Sequence, residues 1–203
     1  MTTQRTLEGF VTRKKETKRR LNTSGSVESM TETGKAPQKR DEHASPTRKS
    51  AIVVHGDLLS FSKANSIAHQ TNCKSTYAKG LATILFRRFP YADVYTNPSK
   101  APTRTPGTIT IHQDPMTKGK TVVNIYGQRY PGKPTPFEST ANREDWFRQA
   151  LKAMAEQQES IGTVAFPFGI GCGMAGGNWA RYRAMIDSFA RAYGHEVYIV
   201  RLK

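Results

Sequence analysis

The chain has 203 residues, of which 36% are hydrophobic, and its 31 lysines and arginines outnumber 16 aspartates and glutamates, giving a formal net charge of +15. This charge favours polyanionic partners such as nucleic acid, although charge alone identifies no substrate. No apolar run approaches the length of a membrane span, and the N-terminus has no signal-peptide core. The two cysteines, Cys73 and Cys172, form no zinc-type cluster with histidine. We therefore expect an intracellular, reduced protein with no membrane contact, no metal and no cofactor.

The first 50 residues differ in composition from the rest of the chain. They carry 12 basic and 6 acidic groups but few large apolar side chains, whereas residues 51–203 carry 19 and 10. Such a stretch cannot bury enough apolar surface to offset the entropy lost on ordering its backbone. The sequence predicts a disordered basic tail, 1–50, followed by one folded domain, 51–203.

The tail contains two short patterns. "QRTLEGFV", residues 4–11, resembles the peptide with which replication and repair proteins dock on the DNA sliding clamp: Gln4, Leu7 and Phe10 fit, while Val11 departs from the usual second aromatic. The basic run "RKKETKRR", 13–20, is typical of a nuclear-import signal or a nucleic-acid patch. Together they predict a nuclear protein, or otherwise a cytoplasmic one, with a sliding clamp and nucleic acid as candidate partners.

Strand and helix patterns alternate through residues 51–203. Helical spacing of apolar residues and Pro90 mark the first helix and its end. β-branched runs indicate the strands, so we expect a mixed sheet with helices on both faces. The predicted elements, in order, are a buried strand in "AIVVHGDLL", a strand in "SIAHQTNC", a helix in "KGLATILFRRF", strands in "GTITIHQ" and "KTVVNIYGQ", a helix in "REDWFRQALKAMAEQQ" with acids in its first turn, a strand in "TVAFPF", a helix in "NWARYRAMIDSFARAY" and a strand in "EVYIVRL".

The loop after "TVAFPF" contains "GCGMAG", residues 171–176, which matches G-x-G-x-x-G. A dinucleotide fingerprint requires a further strand ending in an acidic residue about 20 residues on. Only one strand follows here, and Glu196 stands at its start. The loop therefore belongs to a different α/β fold, in which ligands still bind at the carboxyl ends of the strands. Three polar or glycine-bearing stretches reach that edge: Asp57, residues 69–80 and residues 169–177.

"HGDLL", "AHQTNCKSTYAKGLA" and "FPFGIGCGMAGGNW", in this order and spacing, resemble a macro domain, the module that binds ADP-ribose. The resemblance covers residues 51–203 and is greatest to ADP-ribose 1″-phosphate phosphatases, terminal ADP-ribose glycohydrolases and macro antitoxins. It implies a three-layer α/β/α fold and an ADP-ribose-binding protein that hydrolyses a terminal ADP-ribose derivative. The alternative is a non-catalytic reader of ADP-ribosylation recruited to DNA replication or repair sites.

The resemblance also implies roles for individual residues, each beside a simpler alternative. Asp57 would accept from the adenine amine while the Leu58 backbone reads the ring edge, or Asp57 is a turn or N-cap aspartate. Asn72 would contact the distal ribose, or it is a turn residue. Gly80 would belong to a phosphate loop, with Lys79 beside it either adding charge or remaining solvated.

The glycine loop is expected to hold the diphosphate, because glycine permits backbone conformations that aim several N–H groups at one point. The helix beginning near Asn178 would add its positive end. Ile170 and Met174 would wall the distal ribose, and Phe168 belongs either to the core or to a lid. The predicted loop residues are Gly169, Ile170, Gly171, Cys172, Gly173 and Met174.

Candidate catalytic residues are few. Glycohydrolases of the family with a catalytic lysine have that lysine on the strand matching "GTITIHQ", where this chain has His112 or Gln113. They also have an aspartate in the glycine loop, where this chain has Ala175. His69 stands where phosphatase-like members also have histidine, so it is the predicted acid or base. The alternative is a buried histidine bonded to backbone. Gln128, near Arg129 and Lys133, either meets a phosphate or belongs to a solvated loop.

Overall fold

A computed structural model describes residues 49–101, 103–116 and 119–203. The predicted clamp-binding residues Gln4, Leu7 and Phe10 and the basic run 13–20 lie outside the described residues. Among the described residues, no helix is long and apolar enough to cross a membrane.

Six strands form one sheet in the order β1-β6-β5-β2-β4-β3. All neighbouring strands are parallel except β3, which runs antiparallel to β4. The predicted mixed sheet is therefore confirmed. The strands are β1 (Ile52–His55), β2 (Ser66–Asn72), β3 (Ile109–His112), β4 (Thr121–Gln128), β5 (Val164–Pro167) and β6 (Val197–Arg201).

Helices cover both faces of this sheet. Leu85 and Phe86 of the first helix pack in one apolar cluster with Ile67 and Val122 of the sheet. The other face buries side chains of two longer helices, such as Phe147. The result is the predicted three-layer α/β/α arrangement. The helices are α1 (Leu81–Arg88), α2 (Thr140–Glu156), α3 (Gln158–Ile161) and α4 (Trp179–Ala192), and 3₁₀ turns lie at Leu58–Ser60, Pro90–Ala92 and Pro98–Lys100.

The prediction of acidic residues in the first turn of α2 is wrong. The helix begins three residues earlier than expected, because Ser139 and Asn142 form a capping box that satisfies the first free N–H groups. Glu144 consequently lies in the second turn, where its side chain is 1% exposed and pairs with Arg181.

The prediction that β1 is a buried strand is also wrong. Among the described strands β1 pairs only with β6, so it forms an edge of this sheet. Ile52 and Val53 are 36% and 42% exposed. A short apolar run has the same appearance in a central strand and in an edge strand, and only the strand order distinguishes them.

Candidate functional site

A cavity of about 800 Å³ opens at the carboxyl ends of β2, β4 and β5. Its walls come from four segments: the end of β2 and the loop leading into α1, the loop after β4, the loop after β5, and Tyr95. The volume lies in the range of small-molecule and cofactor sites. Because these strands are parallel, their loops meet at one edge, which is where the sequence places the ligand crevice.

The loop after β5 has unused backbone donors among the residues that line the cavity. Gly169 and Gly171 have φ of +73° and +72°, a region that favours glycine. Backbone N–H groups of Gly171, Gly173, Met174 and Ala175 donate to no protein acceptor within the described residues, and all four residues line the cavity. Several such donors around one space suit an anion.

The N-terminus of α1 adds a second group of donors. Gly80 precedes the helix at φ +59° and provides no side-chain cap, and both Leu81 and Ala82 line the cavity. The sequence assigned this role to the helix near Asn178 instead. Asn178 uses its own side chain to cap α4, accepting from the Arg181 N–H at 3.2 Å, and does not line the cavity. The positive helix end at the cavity is therefore that of α1.

The charged side chains at the cavity are all cationic. Within the described chain, the lining includes Lys79 and Lys133 but no aspartate, glutamate, histidine or cysteine. The Lys79 ammonium lies 5.2 Å from the centre of the Tyr77 ring at the exposed rim. The sequence did not decide whether Phe168 belongs to the core or to a lid. In the structure Phe168 is 40% exposed and lines the cavity, and the Arg201 guanidinium lies 4.8 Å from the centre of its ring.

Asp57 and Leu58 lie outside the cavity lining. The Asp57 carboxylate accepts from the Leu59 N–H at 3.1 Å and from the Ser60 hydroxyl at 2.9 Å, which is an N-cap arrangement. Each carboxylate oxygen has a second lone pair that an incoming amine can use. Leu58 is 7% exposed and packs in the α1 side of the core. The adenine role of Asp57 and Leu58 remains a prediction.

Asn72 lies at the end of β2 and lines the cavity. The side-chain oxygen Oδ1 of Asn72 accepts hydrogen bonds from the backbone N–H groups of Lys74 and Ser75, and these bonds close a turn. Its Nδ2 and its backbone N–H both donate to the Tyr95 hydroxyl, at 3.0 and 2.9 Å. Tyr95 was not among the predicted site residues, because nothing in the local sequence around it distinguishes this tyrosine from a core residue.

His69 is not among the residues that line the cavity. The ring is 1% exposed, packs edge-on against Phe86, and has Nε2 2.5 Å from Oδ1 of Asn124. Burial lowers the pKa of His69 to about 4, and the Asn124 bond offsets this only in part. His69 is therefore a buried histidine, as in the alternative prediction, although its partner is a side chain rather than the backbone. Its catalytic role remains a prediction.

Of the remaining candidate residues, the two cysteines do not line the cavity, whereas Gln128 and Ile170 do. Cys172 donates to the Ile170 carbonyl, and burial raises its pKa, like that of Cys73, to about 11, so both thiols remain protonated. Gln128 lines the cavity, where it accepts from Gln70 Nε2 at 2.8 Å and donates to the Tyr130 carbonyl. Ile170 and Met174 also line it, and their contact with the distal ribose remains a prediction. No cluster of three histidine, cysteine or acidic side chains suited to a metal occurs among the described residues.

Two walls of the cavity are joined by Arg143, which was not among the predicted site residues. Its guanidinium is buried and pairs with Glu138 at 2.7 Å. It also donates to the carbonyls of Gly132 at 2.6 Å and Ala175 at 2.9 Å, thus linking the loop after β4 to the glycine loop. Arg143 stands near the start of a helix, where the sequence indicates only a solvated charge.

No family model matches the sequence, and no curated protein matches it. Solved structures do. The macrodomain of Mycobacterium tuberculosis DarG shares 22% identity at a TM-score of 0.56, covering 74% of this chain and 97% of that one. The macrodomain of Thermus aquaticus DarG shares 18% sequence identity at a TM-score of 0.55, and the match covers 74% of this chain and 97% of that one. Thermosipho africanus DarTG, solved in complex with ADP-ribose, shares 17% sequence identity at a TM-score of 0.57, and the match covers 74% of this chain and 41% of that one.

This chain has the macrodomain fold. The identities are too low to establish more than the fold, but the fold is the one that the three quoted stretches indicated. In this fold the loop after β5 and the N-terminus of α1 both line the cavity.

Proposed function

We propose that this macrodomain binds ADP-ribose or a derivative in the cavity at the ends of β2, β4 and β5. The observation that carries the proposal is the set of unpaired backbone N–H groups of Gly171, Gly173, Met174 and Ala175, in the same cavity as the uncapped N-terminus of α1. Two adjacent phosphates carry enough acceptor oxygens for both sets of donors. Thermosipho africanus DarTG, of which 41% matches this fold, was solved in complex with ADP-ribose.

The composition of the walls supports a nucleotide sugar over a simple anion. Phe168 and the apolar side chains of Ile170 and Met174 line the same cavity as the glycine backbone. An aromatic ring stacks on a base, while the polar corner at Asn72 suits a ribose. The lysines at the rim, Lys79 and Lys133, further favour a ligand with negative charge.

The test is calorimetric titration of the protein with ADP-ribose. We expect a dissociation constant around micromolar, equivalent to about 8 kcal/mol. Gly173→Phe should weaken binding at least tenfold, because an added Cβ meets nothing within 4 Å and the ring would fill space in front of the loop. Gly173→Ala is the matched control and should bind nearly as the wild type.

Gly171 is less suitable for this test. A Cβ there would lie 2.5 Å from the ring of Tyr182, which is buried, and the φ is positive as well. Loss of binding in a Gly171 variant would therefore not separate the site from the fold. If calorimetry detects no ADP-ribose binding by the wild type, the proposal is wrong.

Hydrolysis of a terminal ADP-ribose derivative remains a proposal without an assigned catalytic residue. General acid–base chemistry needs a group within hydrogen-bond reach of the reacting atoms. The ionisable side chains that line the cavity are Tyr77, Lys79, Tyr95 and Lys133. Turnover assays with ADP-ribose 1″-phosphate, ADP-ribosylated protein and ADP-ribosylated DNA separate a hydrolase from a reader, which would bind these ligands unchanged.

Recruitment to DNA replication or repair sites in the nucleus is a further proposal, supported by the sequence of residues 4–20 alone. A peptide of residues 1–20 should bind a sliding clamp weakly, with Leu7 and Phe10 as the apolar anchors. Leu7→Ala combined with Phe10→Ala should abolish that binding. Substitutions in the basic run should weaken it mainly at low salt, since exposed charges are screened at high salt.

A further inference from the structure

The hydroxyl group of Tyr95 accepts two hydrogen bonds from Asn72. One comes from the backbone N–H at 2.9 Å and the other from Nδ2 at 3.0 Å. The orientation of the Asn72 amide is fixed, because its oxygen accepts from the N–H groups of Lys74 at 3.1 Å and Ser75 at 2.7 Å. Both groups that face the phenol oxygen are therefore donors, and the proton of Tyr95 must point elsewhere.

The described part of the protein shows no acceptor for that proton, since both hydrogen bonds of the Tyr95 hydroxyl are ones that it accepts. Tyr95 is 5% exposed, and it lines the cavity together with Asn72. Nδ2 of Asn72 carries two protons, of which one goes to Tyr95. Because the Asn72 oxygen is already engaged, this corner of the cavity offers hydrogen-bond donors only.

The surroundings strengthen the donor character of this corner. The guanidinium of Arg104 lies 5.6 Å from the centre of the Tyr95 ring and donates to the Ser75 carbonyl at 2.7 Å. A nearby positive charge polarises the O–H group towards an acceptor. Burial raises the pKa of Tyr95 to about 12, so the hydroxyl retains its proton at neutral pH.

We propose that Tyr95 is a ligand-binding residue whose hydroxyl, together with Nδ2 of Asn72, donates to an oxygen of the bound ligand and selects ligands that present an acceptor there. This inference rests on the proposed function. Phe168, at the end of β5 next to β6, offers an aromatic surface for the base, whereas the Tyr95 corner lies at the end of β2. The oxygen is therefore one of the distal ribose, beyond the diphosphate.

The experiment compares ADP-ribose with ADP, which lacks the distal ribose, by calorimetry on the full chain. Tyr95→Phe should weaken ADP-ribose binding about three- to tenfold, as expected for one lost hydrogen bond, and leave ADP binding unchanged. Tyr193→Phe is the matched control, since its hydroxyl donates to the Gly162 carbonyl at 2.8 Å and Tyr193 does not line the cavity. It should bind both ligands as the wild type does.

A second variant changes the polarity of the corner. In Asn72→Asp, a carboxylate oxygen replaces Nδ2 and accepts the Tyr95 proton, so the ligand loses both donors. We expect a larger fall in ADP-ribose affinity than in Tyr95→Phe. Retained ADP binding shows that either variant is folded.

The outcomes separate the two proposals. If Tyr95→Phe binds ADP-ribose as tightly as the wild type, or loses ADP and ADP-ribose affinity equally, the role of Tyr95 in selecting the ligand is wrong while the proposed function stands. If the wild type binds no ADP-ribose, the proposed function is wrong, and the inference about Tyr95 falls with it.

Discussion

The imidazole of His69 is fixed in one tautomer by its neighbour. Nδ2 of Asn124 donates to the Ala92 carbonyl at 3.1 Å, so the Asn124 oxygen faces Nε2 of His69 and that nitrogen must carry the proton. The ring is neutral and enclosed between the sheet and Phe86. At the residue scale, His69 therefore connects protonation to stability.

We predict that acid destabilises the protein through His69. Its pKa is about 4 when folded and near 6.5 in the unfolded chain, so the unfolded state takes up the proton first as the pH falls. The contribution of His69 to the free energy of unfolding should decrease from about pH 6.5 to about pH 4, by roughly 3 kcal/mol at 1.36 kcal/mol per unit, and change no further at lower pH. Urea denaturation across this range measures it.

The variant His69→Leu provides the comparison. It loses the Asn124 bond and should be less stable at pH 7, but its stability should depend less on pH between 6.5 and 4 than that of the wild type. His55→Gln, at an exposed position, is the control and should retain the wild-type slope. Equal slopes in His69→Leu and the wild type would contradict the prediction.

At the scale of elements, the cavity depends on two irregular loops that no strand pairing holds together. Arg143 of α2 supplies that connection through five hydrogen bonds, to Glu138 and to the carbonyls of Tyr130, Gly132, Lys133 and Ala175. Glu138 in turn accepts from the N–H groups of Arg129 and Tyr130. The buried pair therefore fixes the distance between the loop after β4 and the glycine loop.

We predict that Arg143→Lys lowers ADP-ribose affinity about tenfold while the protein remains folded. Lysine keeps the charge beside Glu138, but its three donors radiate from one nitrogen and cannot reach all the carbonyls that the planar guanidinium reaches. Calorimetry gives the affinity, and circular dichroism checks the fold. Arg148→Lys, on the exposed face of the same helix, is the control and should bind normally. Unchanged affinity in Arg143→Lys would show that the loops hold their positions without this fork.

At the scale of the whole molecule, the described residues that line the cavity extend from Gln70 to Ala175. Both apolar clusters also lie entirely within residues 51–200. We therefore expect the domain 51–203 to supply the binding site, whereas the predicted partners of the tail are a clamp and nucleic acid.

We predict that a truncated chain of residues 49–203 binds ADP-ribose with the same affinity as the full chain, within about twofold. Calorimetry on both proteins tests this. The truncated chain should lose the clamp binding proposed for residues 4–11, and the full chain carrying Leu7→Ala and Phe10→Ala should lose it equally. A truncated chain that folds but no longer binds ADP-ribose would show that the tail takes part in the site.

Local pattern determined much of this protein. Runs of β-branched residues specified the strands. The helix α1 ends at Arg88, two residues before Pro90, because proline lacks the N–H that a helix requires. The alternation of strands and helices determined the three layers. Since parallel strands bring their carboxyl ends to one edge, the sequence also placed the crevice and the glycine loop.

Only the tertiary structure decided which side chains complete the cavity. Tyr95 reaches Asn72 across 23 residues of chain, and Arg143 reaches Ala175 across 32. It also decided that β1 is an exposed edge and that His69 is enclosed beside Asn124. Periodicity reports which face of an element is apolar, whereas these contacts depend on how separate elements pack against each other, and no local pattern carries that information.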